Sequence, residues 1–257
     1  MQGIQRVVSI LGLLSDSTEG LGVTEVAEKL DLPKSTAFRI LQALGESHLV
    51  YQDELTKKYG LGMGILALGT RLLNRLDIRP VAEPYLHQLK DLLGETVFLS
   101  LWEKGLVICI HKVETEKNLR YFVEVGRPMP LHCTAAAKAI LAYLPECELT
   151  RVMESISFER YNTRTCTTPE ALTRELLLTR ERGYSICDRE MEHLVKAIGA
   201  PVFGSDGNVL GSITVLGPVD RFTDDFMERA EEAVKECARR ISEQMGPGYN
   251  RLHGGNP

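Results

Sequence analysis

Residues 23–51, VTEVAEKLDLPKSTAFRILQALGESHLVY, read as two short helices joined by a tight turn, a pattern few arrangements satisfy. Val26, Ala27 and Leu30 share one side of the first helix, and Thr24 is placed to cap it. Asp31, Leu32 and Pro33 interrupt the periodicity. Pro33 suits the opening turn of the next helix, where a missing N–H costs nothing. The second helix points Ala37, Ile40, Leu41 and Leu44 inward and leaves Lys34, Ser35, Thr36, Arg39 and Gln42 on its other faces. A helix so divided fits a DNA major groove, with its first turn near base edges and its basic and hydroxyl groups on phosphates. Any small helical hairpin gives the same local pattern, so the flanking residues decide.

On the N-terminal side, Gln5, Val7, Val8, Ile10, Leu11 and Leu14 form part of an amphipathic helix. On the C-terminal side, Leu49–Tyr51 and Lys58–Leu61 are short apolar segments around the polar QDELTK, the pattern of a two-stranded hairpin. Three helices and such a hairpin make a winged helix-turn-helix, with Lys57 and Lys58 where a wing lies beside the phosphate backbone. The formal net charge of -5 supplies no global attraction to nucleic acid. DNA affinity then has to come from a local stripe of Arg6, Lys34, Arg39, Lys57 and Lys58, presented twice by a dimer and weakened by salt. Lys29 and Arg71 fit a solvated face equally well.

The 257 residues suit two domains. Apolar runs such as LGMGILALG and VLGSITVLG are too short to span a bilayer, and VVSILGLL lacks the small-residue cleavage site of a secretory leader. Six cysteines without a C-x-x-C pair fit reduced thiols in the cytoplasm better than a disulfide framework. Residues 63–74, MGILALGTRLLN, form a helix apolar on so many sides that it needs a partner: its copy in a second subunit, or its own domain.

From residue 78 the pattern changes. IRPVAEPYLHQLKDLLG is a helix ending at Gly94. ETVFLSLWEK and GLVICIHKVET are strands around Lys104-Gly105, and LRYFVEVG is expected as a third. Helices are expected at 133–144, 146–155 and 169–182. GYSIC and KAIGAPVFGSDGNVLGSITVLGP add strands with Asp206-Gly207-Asn208 as a tight turn, and a helix from Thr223 to about Glu243 closes the domain. This predicts an α+β domain on an antiparallel sheet, with helices on one face and loops free to form a pocket on the other.

Across residues 2–245 the chain resembles IclR-type transcriptional regulators. The resemblance rests on the order and spacing of GIQRVVSILGLL, LPKSTAFRILQAL, YGLGMGILALG, VGRPMPLHCTAAAKAILA, GYSICDREMEHLVKAIGAPVF and GSITVLGPVDRF. It implies a winged helix-turn-helix at 1–62, a linker helix at 63–77 and a GAF-like α+β effector-binding domain at 78–246, while the glycine- and proline-rich 247–257 reads as a flexible tail. It also implies a homodimer or homotetramer on operator DNA and a small organic acid or aromatic metabolite as effector, with no cofactor and no membrane. The function implied is a ligand-responsive, sequence-specific regulator, by preference a repressor, of a catabolic or metabolic operon.

The resemblance places the pocket on Leu131, His132, Cys133, Thr134, Ala135 and Ala136, on Asp188 to Glu190 with the strand Ala197 to Ala200, and on Ser212 to Val215. Thr134 and Thr214 would bond a carboxylate, and Trp102, Met129, Met191 and Leu194 would form apolar walls. Ser212 and Thr214 share one side of their strand, favoured as the ligand side, with Ile213 and Val215 on the other. The chain departs from the family pattern at Ala137 and Leu194, where many relatives have glycine, and at Ala197, where a cysteine is common. These departures point to a smaller or more apolar effector. A thiol- or metal-dependent enzyme or a redox sensor is the alternative, from Cys133 beside His132 or from His132, Cys133, Cys187 and Asp188 as ligands. No regular spacing supports a metal, and a buried structural cysteine explains Cys133 more simply.

Overall fold

Ile10 and Leu14 of α1 (Gln2–Ser15), Val26 and Ala27 of α2 (Val23–Lys29), and Ala37, Leu41 and Leu44 of α3 (Lys34–Glu46) converge on one small core. The computed structural model describes residues 2–73 and 78–245. The helix-turn-helix spacing expected from the sequence is present, with one local difference. α2 starts at Val23, so Gly22 and not Thr24 stands at its cap, and the Gly22 N–H donates to Glu25 Oε2 at 2.7 Å. Pro33 stands just before α3, and its carbonyl accepts from the N–H groups of Thr36 and Ala37 at 2.8 and 3.1 Å.

β1 (Val50–Gln52) and β2 (Tyr59–Leu61) pair antiparallel, with Tyr51 opposite Gly60. Leu21 bonds Tyr59 in both directions at 2.8 and 2.9 Å, which ties the loop after α1 to the hairpin. α4 (Met63–Leu73) follows directly. Its start presses against the turn after α3: a Cβ on Gly62 would lie 2.2 Å from the His48 carbonyl oxygen, and one on Gly64 would lie 2.8 Å from it. Met63, Leu66, Leu68 and Leu72 are exposed, so the first unit alone does not bury this helix. The chain divides into units Met1–Arg75 and Leu76–Pro257. The expected linker residues 74–77, residue 246 and the expected tail 247–257 lie outside the described residues.

The second unit is built on a five-stranded antiparallel sheet of order β4-β3-β7-β6-β5: β3 (Thr96–Glu103), β4 (Leu106–Val113), β5 (Ser185–Asp188), β6 (Val195–Phe203) and β7 (Val209–Pro218). α5 (Ile78–Leu93) and α9 (Asp224–Gln244) pack on one face, and α6 (Ala135–Leu141) packs on the other against β5, β6 and β7. Helices therefore cover both faces, not one as expected. α7 (Glu146–Ser155) and α8 (Pro169–Arg182) complete the α6 side. Directly opposed residues of an antiparallel pair share a face. The pairs Phe98–Thr214, Leu216–Ala197 and Ala197–Cys187 thus set two adjacent rows on the face beside α6. Ile198, Ile213 and Val215 alternate onto the other face and are fully buried.

Two expectations change. LRYFVEVG is not a strand: beyond β4 only the Gly126 and Met129 N–H groups reach across, to the carbonyls of Cys109 and Val107, each at 2.8 Å. Its alternation has another origin. Tyr121 and Val123 turn onto the core, while Phe122, 74% exposed, lies under the Lys112 ammonium at 3.8 Å. The helix expected at 133–144 is only α6, because Thr134 caps it and residues beyond Leu141 turn away. No helix among the described residues is long and apolar enough to cross a membrane.

Candidate DNA surface and ligand cleft

In the first unit, Arg6 of α1 and Thr36, Arg39 and Gln42 of α3 line one open groove, with Glu46 at its end. Lys34 and Ser35 stand exposed on the first turn of α3. In the β1–β2 turn, Asp53 Oδ1 accepts from the Thr56 N–H at 2.7 Å, the Thr56 hydroxyl at 2.8 Å and the Leu55 N–H at 3.1 Å. Those Thr56 bonds hold the Asp53 carboxyl below its usual range, and the turn presents Lys57 at φ 59 to solvent. Lys58 is partly engaged, its ammonium 3.7 Å from Glu19 Oε2.

In the second unit a cleft of about 840 Å³ opens on the α6 side of the sheet. Phe98, Cys187, Ala197, Thr214 and Leu216 form its floor, and Thr134, Ala135 and Ala136 one end. Tyr121, Val123, Met129, Tyr161, Met191 and Val195 wall it, and Glu124, Arg127 and Glu192 bring the charge. Thr134 spends its hydroxyl locally, donating to the Pro130 carbonyl at 2.8 Å and accepting from the Ala137 N–H at 3.4 Å. Thr214 differs. It is 1% exposed, and its hydroxyl has no hydrogen-bond partner among the described residues. The Ser212 hydroxyl on the same strand is likewise unpartnered, and of the two only Thr214 lines the cleft.

Of the residues expected in the pocket, Thr134, Ala135, Ala136, Ala197 and Thr214 meet in this cleft, and the hydroxyl side of β7 is the side that faces it. His132, Cys133, Asp188, Glu190 and Ser212 are not among its lining. His132 is buried, with Nε2 2.9 Å from the Glu159 carbonyl and its ring stacked on Tyr161. Cys133 is buried, and its carbonyl accepts from Cys187 Sγ at 3.1 Å. Asp188 pairs with Arg189 at 2.8 Å and Arg164 at 3.2 Å. Ser212 lies on the correct face but outside the lining. Of the expected walls, Met129 and Met191 contribute, Trp102 bonds Glu148 at 2.9 Å instead, and Leu194 is exposed and does not narrow the cleft.

Glu190 acts from behind the wall. Its Oε1 lies 2.5 Å from Nζ of Lys138, which has no exposed surface. The Asn162 amide donates to the carbonyls of Arg189, Glu190 and Met191, and the Thr165 hydroxyl to that of Glu190 at 2.6 Å. This clasp pins the segment that delivers Met191 and Glu192 to the cleft. The lone charge in AAAKAILA was visible in the sequence as a lysine inside an apolar helix. Phe98, Tyr121, Arg127 and Tyr161 carried no such signal, because long-range packing brings them together.

The two cysteines beside the cleft, Cys133 and Cys187, are not poised as nucleophiles. Burial pushes Cys133 up to about 12 and Cys187 up to about 11, so both stay protonated at neutral pH. Among the described residues no group of three His, Cys, Asp or Glu side chains is placed to hold a metal ion.

Comparison with known proteins covers nearly the whole chain. The family described as Bacterial transcriptional regulator IclR C-terminal matches residues 70–243, and the IclR helix-turn-helix domain matches residues 3–54. The HTH-type transcriptional regulator KdgR of Escherichia coli K12 is 31% identical over 246 residues, 96% of this chain and 93% of that protein. The HTH-type transcriptional repressor AllR of Salmonella typhimurium is 32% identical over 247 residues, 95% of this chain and 90% of that protein. The crystal structure of the Thermotoga maritima IclR superposes with a TM-score of 0.75 at 30% identity, over 96% of this chain and 99% of that one. An IclR regulator from Alicyclobacillus acidocaldarius superposes with a TM-score of 0.82 at 28% identity, over 96% and 99%.

Proposed function

This chain belongs to the IclR family of bacterial transcriptional regulators, and on that premise we propose that it represses a catabolic or metabolic operon under the control of a small, mostly apolar carboxylate. It is a regulator and not an enzyme, and regulators of this family bind operator DNA and small-molecule effectors. In this reading Lys34, Ser35, Thr36 and Arg39 meet the major groove, and Arg6, Lys57 and Lys58 meet phosphates. The protein works in the cytoplasm as a homodimer or homotetramer. Ligand binds two arrangements of the assembly unequally and so shifts the spacing of its paired winged helices.

The observation that carries the effector reading is the Thr214 hydroxyl, unpartnered on the floor of a cleft whose charges lie in its walls. The Arg127 guanidinium is the one cation among the lining residues, against the carboxylates of Glu124 and Glu192. That balance suits a single carboxylate on an apolar body and disfavours a polyanion.

The test is fluorescence anisotropy of the full chain on labelled DNA from upstream of its own gene, over a salt series and with unrelated competitor DNA. Saturable binding that survives the competitor, and that small organic acids then alter, is the expected result. Arg39→Ala is expected to cost about 1–3 kcal/mol of specific binding and leave the melting temperature unchanged. A lower melting temperature with unaltered DNA affinity would make Arg39 structural.

A further inference from the structure

Phe38 is 48% exposed and is not part of the core of the first unit. A single exposed aromatic is ordinary on a protein surface. Its neighbours make this one informative. Ser35, Phe38, Arg39 and Gln42 fall at i, i+3, i+4 and i+7 of α3, one stripe along the helix, and all four are exposed. Ala37, Leu41 and Leu44 occupy the opposite side and are buried.

The stripe therefore carries a hydroxyl, an apolar ring, a guanidinium and a carboxamide. In the major groove a guanidinium suits guanine O6 and N7, and a carboxamide suits adenine N6 and N7. The 5-methyl group of thymine offers neither donor nor acceptor and is recognised by apolar contact, for which Phe is well suited. Folding leaves half of the Phe38 ring in water, so its burial becomes a gain only where α3 docks. Resting on the regulator reading above, we propose that Phe38 is a specificity-determining residue that reads a thymine methyl in each operator half-site, beside the bases met by Arg39 and Gln42.

In the test, the full-length chain first enriches its site from a pool of random duplexes. Each thymine of that site is then replaced in turn by deoxyuridine, which lacks only the 5-methyl group. Anisotropy titrations at fixed salt compare the wild type with Phe38→Ala and Phe38→Leu. A single deoxyuridine in one half-site is expected to weaken the wild type about fourfold, the equivalent of one buried carbon. Phe38→Ala is expected to bind both versions equally, and Phe38→Leu to keep part of the preference. The wild-type comparison changes only the DNA, so misfolding cannot imitate it. An enriched site at which every replacement is silent, or a loss that persists in Phe38→Ala, overturns the assignment and leaves the regulator reading standing. A wild-type chain that enriches no sequence overturns both.

Discussion

Lys138 has no exposed surface, yet its ammonium lies 2.5 Å from Glu190 Oε1 and 3.6 Å from Glu175 Oε2. Burial alone would drive its pKa down; the facing Glu190 carboxylate reverses that and holds it above the ordinary lysine value. A base with a raised folded pKa contributes stability at and below neutral pH, and that contribution fades as pH rises through the folded value. Lys138→Met should destabilise the chain by about 3–5 kcal/mol in urea unfolding, because Glu190 is left buried and unpaired. The loss should shrink at pH 5, where a stranded carboxyl can take up a proton, and adding Glu190→Gln should recover much of it. A small, pH-independent loss would mean the pair has no structural weight. Thr214→Val makes an opposite prediction about two readouts. Removing a buried, unpaired hydroxyl should raise the melting temperature of the free chain while weakening effector binding by about 0.5–1.5 kcal/mol. Loss on both counts would show Thr214 to be a packing residue.

The wing illustrates how an element sets the value of its charges. Lys57 is exposed at the tip of the Asp53-closed turn, whereas Lys58 shares its charge with Glu19. Lys57→Ala should lower the slope of log affinity against log salt by about one, and Lys58→Ala by less. Equal slopes for both variants and the wild type would remove the wing from the DNA interface. Elements whose signal is local were legible from sequence. α3 could be placed from Pro33 and the spacing of Ala37, Leu41 and Leu44, and the β6–β7 hairpin from Asp206-Gly207-Asn208. Residues 119–126 were not legible as they stand, since a cleft wall with one side on the core alternates as a strand does. The pocket was half legible for the same reason. Thr134, Ala197 and Thr214 belong to recognisable segments, but which neighbours turn into the cleft depends on sheet register and on the clasp around Glu190.

At the scale of the whole molecule, the exposed Met63, Leu66, Leu68 and Leu72 of α4 are an apolar surface that the first unit leaves uncovered. If α4 packs on its copy, Leu66→Glu with Leu68→Glu should shift sedimentation toward the monomer and reduce operator affinity together. An unchanged oligomer would place the contact elsewhere. The first unit has one small apolar core, whereas the second buries apolar residues on both faces of its sheet. In the second unit β7 gives Thr214 and Leu216 to the cleft, while Ile213 and Val215 serve the buried packing against the helices on the far side. One strand thus serves two independent tasks. Side chains at 214 and 216 can therefore change the shape of the cleft without touching the packing at 213 and 215, so a new occupant need not mean a new architecture.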